Sequence, residues 1–147
     1  MDDVRIRPVM RSYKLEELSV GMSASYRRTI SEADVRDFAE LTGDHNPLHL
    51  DEEFARTTRF KGRVVHGMLT ASFFSTALAT MPGPGTVYLS QTLVFRAPVR
   101  IGDTVEASVT VSEIIPEKGR VLLKTVGRVG DTVVVDGEAM ALVPSRG

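Results

Sequence analysis

Gly67-Met68-Leu69-Thr70-Ala71-Ser72-Phe73-Phe74-Ser75-Thr76-Ala77-Leu78-Ala79-Thr80-Met81 reads as a helix without a polar face. Its apolar residues are interrupted only by Ser and Thr, so the pattern predicts a helix that is apolar nearly all round. Such a helix has to be buried. The small residues Ala71, Ser72, Ser75, Ala77 and Ala79 allow another backbone to approach closely. Pro82-Gly83-Pro84-Gly85 then ends the helix.

The chain downstream has a different character. Val87–Phe95, Thr104–Ile115, Arg120–Val129 and Thr132–Val143 are rich in β-branched residues and often alternate, as half-buried strands do. Turn signals separate them: Pro98 and Gly102-Asp103, then Pro116-Glu117-Lys118-Gly119, then Gly130-Asp131. The last is a two-residue Gly-X loop, favoured in tight hairpins. Helices followed by consecutive hairpins predict an α+β fold, with an antiparallel sheet wrapped around the apolar helix.

Upstream, Ser23–Ile30 alternates modestly and reads as a strand. Ser31 reads as a helix N-cap with Asp34 in the capping-box position. Val35, Phe38, Ala39 and Thr42 share one helical face, and Gly43 stands where a helix usually stops, giving a helix over Glu32–Thr42. Pro47 disfavours helical geometry at Asn46, so Asp44–His49 is expected to be a fixed loop, followed by a short helix over Asp51–Arg56. Residues 1–12 lack periodicity and are expected to form a loose arm; residues 13–147 form one domain.

Composition narrows the function. The 147 residues suit a single domain, which buries roughly 68–70% of its unfolded surface. The formal net charge is −1, which gives no global electrostatic reason to bind nucleic acid. Cysteine is absent, so disulfide and thiolate chemistry are excluded. No apolar run reaches membrane-spanning length, and the N-terminus lacks an apolar signal region. A soluble, cytoplasmic protein is the expectation.

The chemistry concentrates in Leu41-Thr42-Gly43-Asp44-His45-Asn46-Pro47-Leu48-His49. Gly, Asp, Asn and Pro form turns for purely structural reasons. A rigid loop that carries Asp44 and His49 is also where catalytic groups are often found. Asn46 is expected to bond loop backbone, and His45 to face solvent or pack. His45 and His49 have a metal-ligand spacing only on a helix, which Pro47 opposes, so no metal is expected. His66-Gly67 opens the apolar helix. Gly67 there either permits close packing or presents a free N–H at the positive helix end. Ser72 and Ser75 read as packing residues within the helix. Arg59, Lys61 and Arg63 form a basic cluster that suits either solvent or the phosphates of a nucleotide-bearing substrate. No Walker or dinucleotide motif is present.

Phe38-x-x-Leu41-Thr42-Gly43-Asp44-x-Asn46-Pro47-Leu48-His49, with Ala55 beyond, resembles the hydratase 2 motif of the MaoC-like hydratases. The likeness is to the short (R)-specific enoyl-CoA hydratases that feed polyhydroxyalkanoate synthesis. His66-Gly67-Met68-Leu69 and Phe95-Arg96-x-Pro98-Val99-x-x-Gly102-Asp103 resemble the family in order and spacing, and the likeness spans Leu18 to Val143.

The resemblance implies a hot-dog fold and a homodimer joined sheet edge to sheet edge. The active site would lie at that interface, with an acyl tunnel beside the central helix. It makes Asp44 and His49 the catalytic pair and Gly67 N–H the oxyanion donor. It sets Ser75 near the aspartate, gives His66 and Asn46 supporting roles, and assigns Leu78 and Val143 to the acyl tunnel. The implied reaction is reversible hydration of trans-2-enoyl-CoA to (R)-3-hydroxyacyl-CoA, with no cofactor. The alternatives are another enoyl thioester (branched, dicarboxylic or carrier-protein-bound), a hot-dog acyl-CoA thioesterase, or a non-catalytic acyl-CoA-binding subunit. Thioesterases of this fold usually carry their acid on the central helix, and 67–81 has no Asp or Glu.

Overall fold

The computed structural model describes residues 8–146. The first seven positions of the expected arm lie outside that range. Pro8 to Ser12 form no regular element, and the Arg11 N–H donates to the Thr80 carbonyl at 3.3 Å.

Ten elements follow in chain order: β1 (Ser23–Thr29), α1 (Glu32–Thr42), α2 (Pro47–Leu50), α3 (Glu52–Arg56), α4 (Gly67–Thr80), β2 (Val87–Gln91), β3 (Val94–Phe95), β4 (Thr104–Ile115), β5 (Arg120–Val129) and β6 (Thr132–Leu142). The strands form one antiparallel sheet in the order β1-β4-β5-β6-β2, with β3 also pairing with β6. The β4–β5 turn contains a single 3-10 turn at Pro116–Lys118. The β5–β6 turn is the expected two-residue loop, with Val129 opposite Thr132 and Gly130 at φ +57°.

Helix α4 lies in the curve of the sheet. Leu69, Thr70, Ala71, Phe73, Phe74, Ala77, Leu78 and Thr80 are all buried on it. One core cluster gathers Leu69, Phe73 and Phe74 with Ile30, Val35, Val105, Ala107 and Val135. The other gathers Ala77, Leu78 and Met81 with valines, leucines and alanines of β4, β5 and β6. Phe74 is completely buried, so truncating it to Ala would cost about 3–5 kcal/mol. A long helix wrapped by an antiparallel sheet is the hot-dog arrangement.

The expected Val87–Phe95 strand is split in two. Gly137 on β6 explains the break: a Cβ there would sit 1.7 Å from the Thr92 carbonyl oxygen, so only glycine lets residue 92 close in. Thr92 then exchanges bonds with Glu138 instead of continuing the ladder. Exposed apolar residues collect along this edge and the start of α4, namely Val87, Leu89, Val94, Phe95 and Met68.

Candidate active site

Helix α1 is built as its sequence suggests. Ser31 Oγ accepts the Asp34 N–H at 3.1 Å, and Asp34 Oδ2 accepts the Ser31 N–H at 3.0 Å. Gly43 ends the helix at φ +82°. The chain then folds on itself through short polar bonds. Asp44 Oδ1 accepts the Asn46 N–H at 3.2 Å, and Asn46 Oδ1 accepts the Leu48 N–H at 3.0 Å.

The loop does not run to His49: it ends at Asn46, and Pro47–Leu50 form a helical turn. Proline keeps Asn46 out of the helix but is favoured at the first helical position, where no N–H is needed. Asn46 is that turn's cap, the backbone role expected of it. His49 is therefore held on a helical turn, and Asp44 on the loop before it.

The His49 ring is fixed from its far side. Its Nδ1 lies 2.8 Å from the Val64 carbonyl oxygen. A carbonyl only accepts, so Nδ1 carries the proton and Nε2 is the free nitrogen. His66 Nε2 likewise donates to the Asp44 carbonyl at 3.1 Å. The two imidazoles stack with centroids 3.9 Å apart, and Phe38 flanks His66 at 4.9 Å. His66 is buried, and that burial pushes its pKa below the usual histidine value.

His49 also belongs to a second framework. Arg63 Nε donates to the His49 carbonyl at 2.7 Å, and its guanidinium pairs with Glu32 at 2.9 Å. The hydrogen bond from Arg63 holds the Glu32 carboxyl below the ordinary glutamate pKa. Arg100 clasps the same loop, donating to the carbonyls of Phe60 (2.7 Å), Gly62 (3.1 Å) and Arg63 (3.1 Å).

Asp44, His49, His66 and Gly67 line one cleft of about 390 Å³, with Phe60 and Phe95 among its walls. His66 caps α4, and Gly67 is the first helical residue. The Gly67 N–H has no acceptor within its own helix and sits at the positive helix end. A Cβ at Gly67 would fall 2.7 Å from the Phe95 ring, so the absent side chain is what lets this ring cover the helix start.

Not every expected residue reaches the cleft. Ser75 is exposed about two turns along α4, in a neighbouring apolar groove. Leu78 and Val143 share the core cluster at the far end of the helix. His45 faces solvent and pairs with Glu40 at 2.9 Å, which raises its pKa. In the basic cluster, Arg63 is committed to Glu32 and His49, whereas Arg59 lines the cleft and stacks on Phe60. Phe60, Arg100 and the covering role of Phe95 were not foreseen. Phe60 and Arg100 come from loops with no local pattern, and Phe95 ends an expected strand; the fold alone brings all three around the site.

Asp44, His49 and His66 also form a cluster whose donor atoms all lie within 4.8 Å of one another. His49 Nδ1 and His66 Nε2 are each bonded to a backbone carbonyl, so each ring has one nitrogen left to offer.

Residues 17–135 match the family described as the MaoC like domain. The chain is 52% identical over 140 residues to a 3-hydroxybutyryl-CoA dehydratase from Methylorubrum extorquens, covering 95% of this chain and 89% of that protein. It is 52% identical over 133 residues to an (R)-specific enoyl-CoA hydratase from Rhodospirillum rubrum, covering 90% and 92%. Among solved structures, the (R)-hydratase from A. caviae involved in PHA biosynthesis superposes with a TM-score of 0.85 at 43% identity, covering 88% of this chain and 99% of that one.

Proposed function

Because the chain belongs to the MaoC-like family, we propose that it is an (R)-specific enoyl-CoA hydratase, adding water reversibly to a trans-2-enoyl thioester. The observation that carries this reading is that Asp44, His49 and Gly67 line one cleft, with His49 Nδ1 committed to the Val64 carbonyl so that its Nε2 is left as an acceptor. The relatives named above perform or reverse the same addition.

In the proposed reaction the Gly67 N–H donates to the thioester carbonyl and stabilises the enolate that develops there. Asp44 and His49 both accept hydrogen bonds from one water, which fixes its oxygen against C3. One water proton moves to this pair as the oxygen attacks C3, and His49 returns a proton to C2. The product is an (R)-3-hydroxyacyl thioester, and the reverse sequence is dehydration. Only the elements of water are added, with no net oxidation or reduction, so the proposed chemistry calls on no cofactor. His66 keeps Asp44 in place through its backbone, and burial keeps this imidazole neutral beside His49.

The working form is a homodimer in this reading, joined along the β2 edge, where the exposed apolar side chains gather. No helix among the described residues is long and apolar enough to cross a membrane; a cytoplasmic site of action is part of the proposal. Coenzyme A is the carrier we favour. A mitochondrial 3-hydroxyacyl-[acyl-carrier-protein] dehydratase of Arabidopsis thaliana, 39% identical to this chain, makes a carrier-protein thioester the second substrate to assay.

The test is loss of the enoyl ultraviolet absorbance of crotonyl-CoA, with chiral analysis of the product. Formation of (R)-3-hydroxybutyryl-CoA supports the proposal. Release of free thiol would identify a thioesterase instead.

A further inference from the structure

Three hollows lie in series beside α4. The cleft holding Asp44 and His49 shares Met68 with an apolar groove of about 540 Å³, walled by Phe38, Ala71, Leu89 and Leu93 among others. That groove in turn shares Ser75 and Tyr88 with a smaller cavity of about 190 Å³, bounded by Leu78, Ala79 and the Gly83–Thr86 turn. From Gly67 to Ser75 the helix rises ~12 Å. No charged residue lines the groove, so the chemistry it accepts is uncharged hydrocarbon, entering from the end where the thioester would be held.

Tyr88 lines both the groove and the cavity behind it, and its ring is held in place. Its ring packs against the core cluster that contains Leu78. Its hydroxyl donates to Gln91 Oε1. Gln91 Nε2 donates in turn to the fully buried Thr125 Oγ1 and to the Thr92 carbonyl, both at 2.8 Å. A register shift in β2 between Tyr88 and Ser90 re-aims the strand at this point.

Resting on the enoyl-thioester reading, we propose that Tyr88 is the end wall of the acyl site and sets the longest chain the enzyme accepts. Removing the ring joins the groove to the cavity. Each further methylene that becomes buried is then worth about fourfold in kcat/KM.

The experiment compares kcat/KM for crotonyl-, octenoyl- and dodecenoyl-CoA in the wild type and in Tyr88→Phe, Tyr88→Leu and Tyr88→Ala, with thermal melts to confirm folding. The long-to-short ratio should rise at least tenfold in Tyr88→Ala. A smaller rise is expected in Tyr88→Leu, whose milder truncation guards against loss of fold. Tyr88→Phe should keep the wild-type profile, because the ring and not the hydroxyl is the wall. Adding Ala79→Phe to Tyr88→Ala refills the cavity and should return the ratio toward wild type. Folded Leu and Ala variants with the wild-type ratio would overturn the assignment of Tyr88 while leaving the hydratase intact. A wild type inactive on every chain length would overturn the hydratase reading, and this inference with it.

Discussion

Arg100→Ala should separate stability from catalysis in a measurable way. The guanidinium holds three carbonyls of the 60–63 loop, and each charge-assisted bond is worth about 1.5–3 kcal/mol when isolated. Arg100 is only half-buried, so water replaces part of what is lost, and about 2 kcal/mol is the expected net cost. For a chain of this size that corresponds to a Tm decrease of roughly 4–8 °C. The catalytic effect should be larger. The loop supplies Arg63, which grips the His49 carbonyl, and leads directly into Val64, whose carbonyl fixes the His49 ring. A displacement of about 1 Å in a catalytic group costs on the order of 100-fold. The kcat for crotonyl-CoA should therefore drop by roughly 10- to 100-fold with KM little changed. Arg100→Lys keeps the charge but loses the planar fork and should recover only part of the rate. A folded Arg100→Ala protein with lowered Tm and wild-type kcat would show that the loop supports the fold without positioning His49.

Asp44→Asn and His49→Ala should each lower turnover by about 10²–10⁴-fold, with circular dichroism spectra and melts close to wild type, since Asp44 is exposed and neither residue belongs to the core clusters. Gly67→Ala should raise KM for crotonyl-CoA by pushing the Phe95 ring aside, and adding Phe95→Ala should relieve part of the defect; an unchanged KM in Gly67→Ala would mean that the covering ring is irrelevant to binding. The buried His66 is depressed in pKa, so the unfolded chain takes up a proton near pH 6.5 that the native state refuses. Stability should therefore be full above that pH and decline as the pH falls through it toward the native pKa. His66→Gln should show a shallower Tm decline between pH 8 and pH 5 than the wild type, and equal slopes would remove His66 as the cause.

The parts of this molecule legible in its sequence are those specified by neighbours. The Ser31–Asp34 capping box, the Gly43 stop and the Gly130 hairpin all depend on residues within a few positions of one another, and each stands where its pattern suggested. The buried helix was legible for a different reason: a segment apolar on every side has only one stable location. The helical turn α2 was missed because Pro47 was weighed as a breaker and not as a first helical residue. The split between β2 and β3 was illegible because its cause, Gly137, is more than forty positions away. Arg100 and Tyr88 were missed on similar grounds. An arginine that clasps carbonyls and a tyrosine that lines two hollows differ from ordinary surface residues only in what the fold puts opposite them.

The turn from Asp44 to Leu48 is closed by side-chain to backbone bonds within its own sequence. Its contacts span two or three positions, so this turn closes among the fastest events available to a chain. The sheet that carries the opposite wall of the cleft depends on much longer closures, such as Thr29 with Thr104, 75 positions apart. Such non-local pairings set the pace of folding. In a refolding experiment the recovery of hydratase activity should therefore follow the slow β-sheet signal and lag behind the early helical one. The turn closes early, but His49 is oriented only when Val64 and Arg63 reach it, and the substrate site forms only with the sheet.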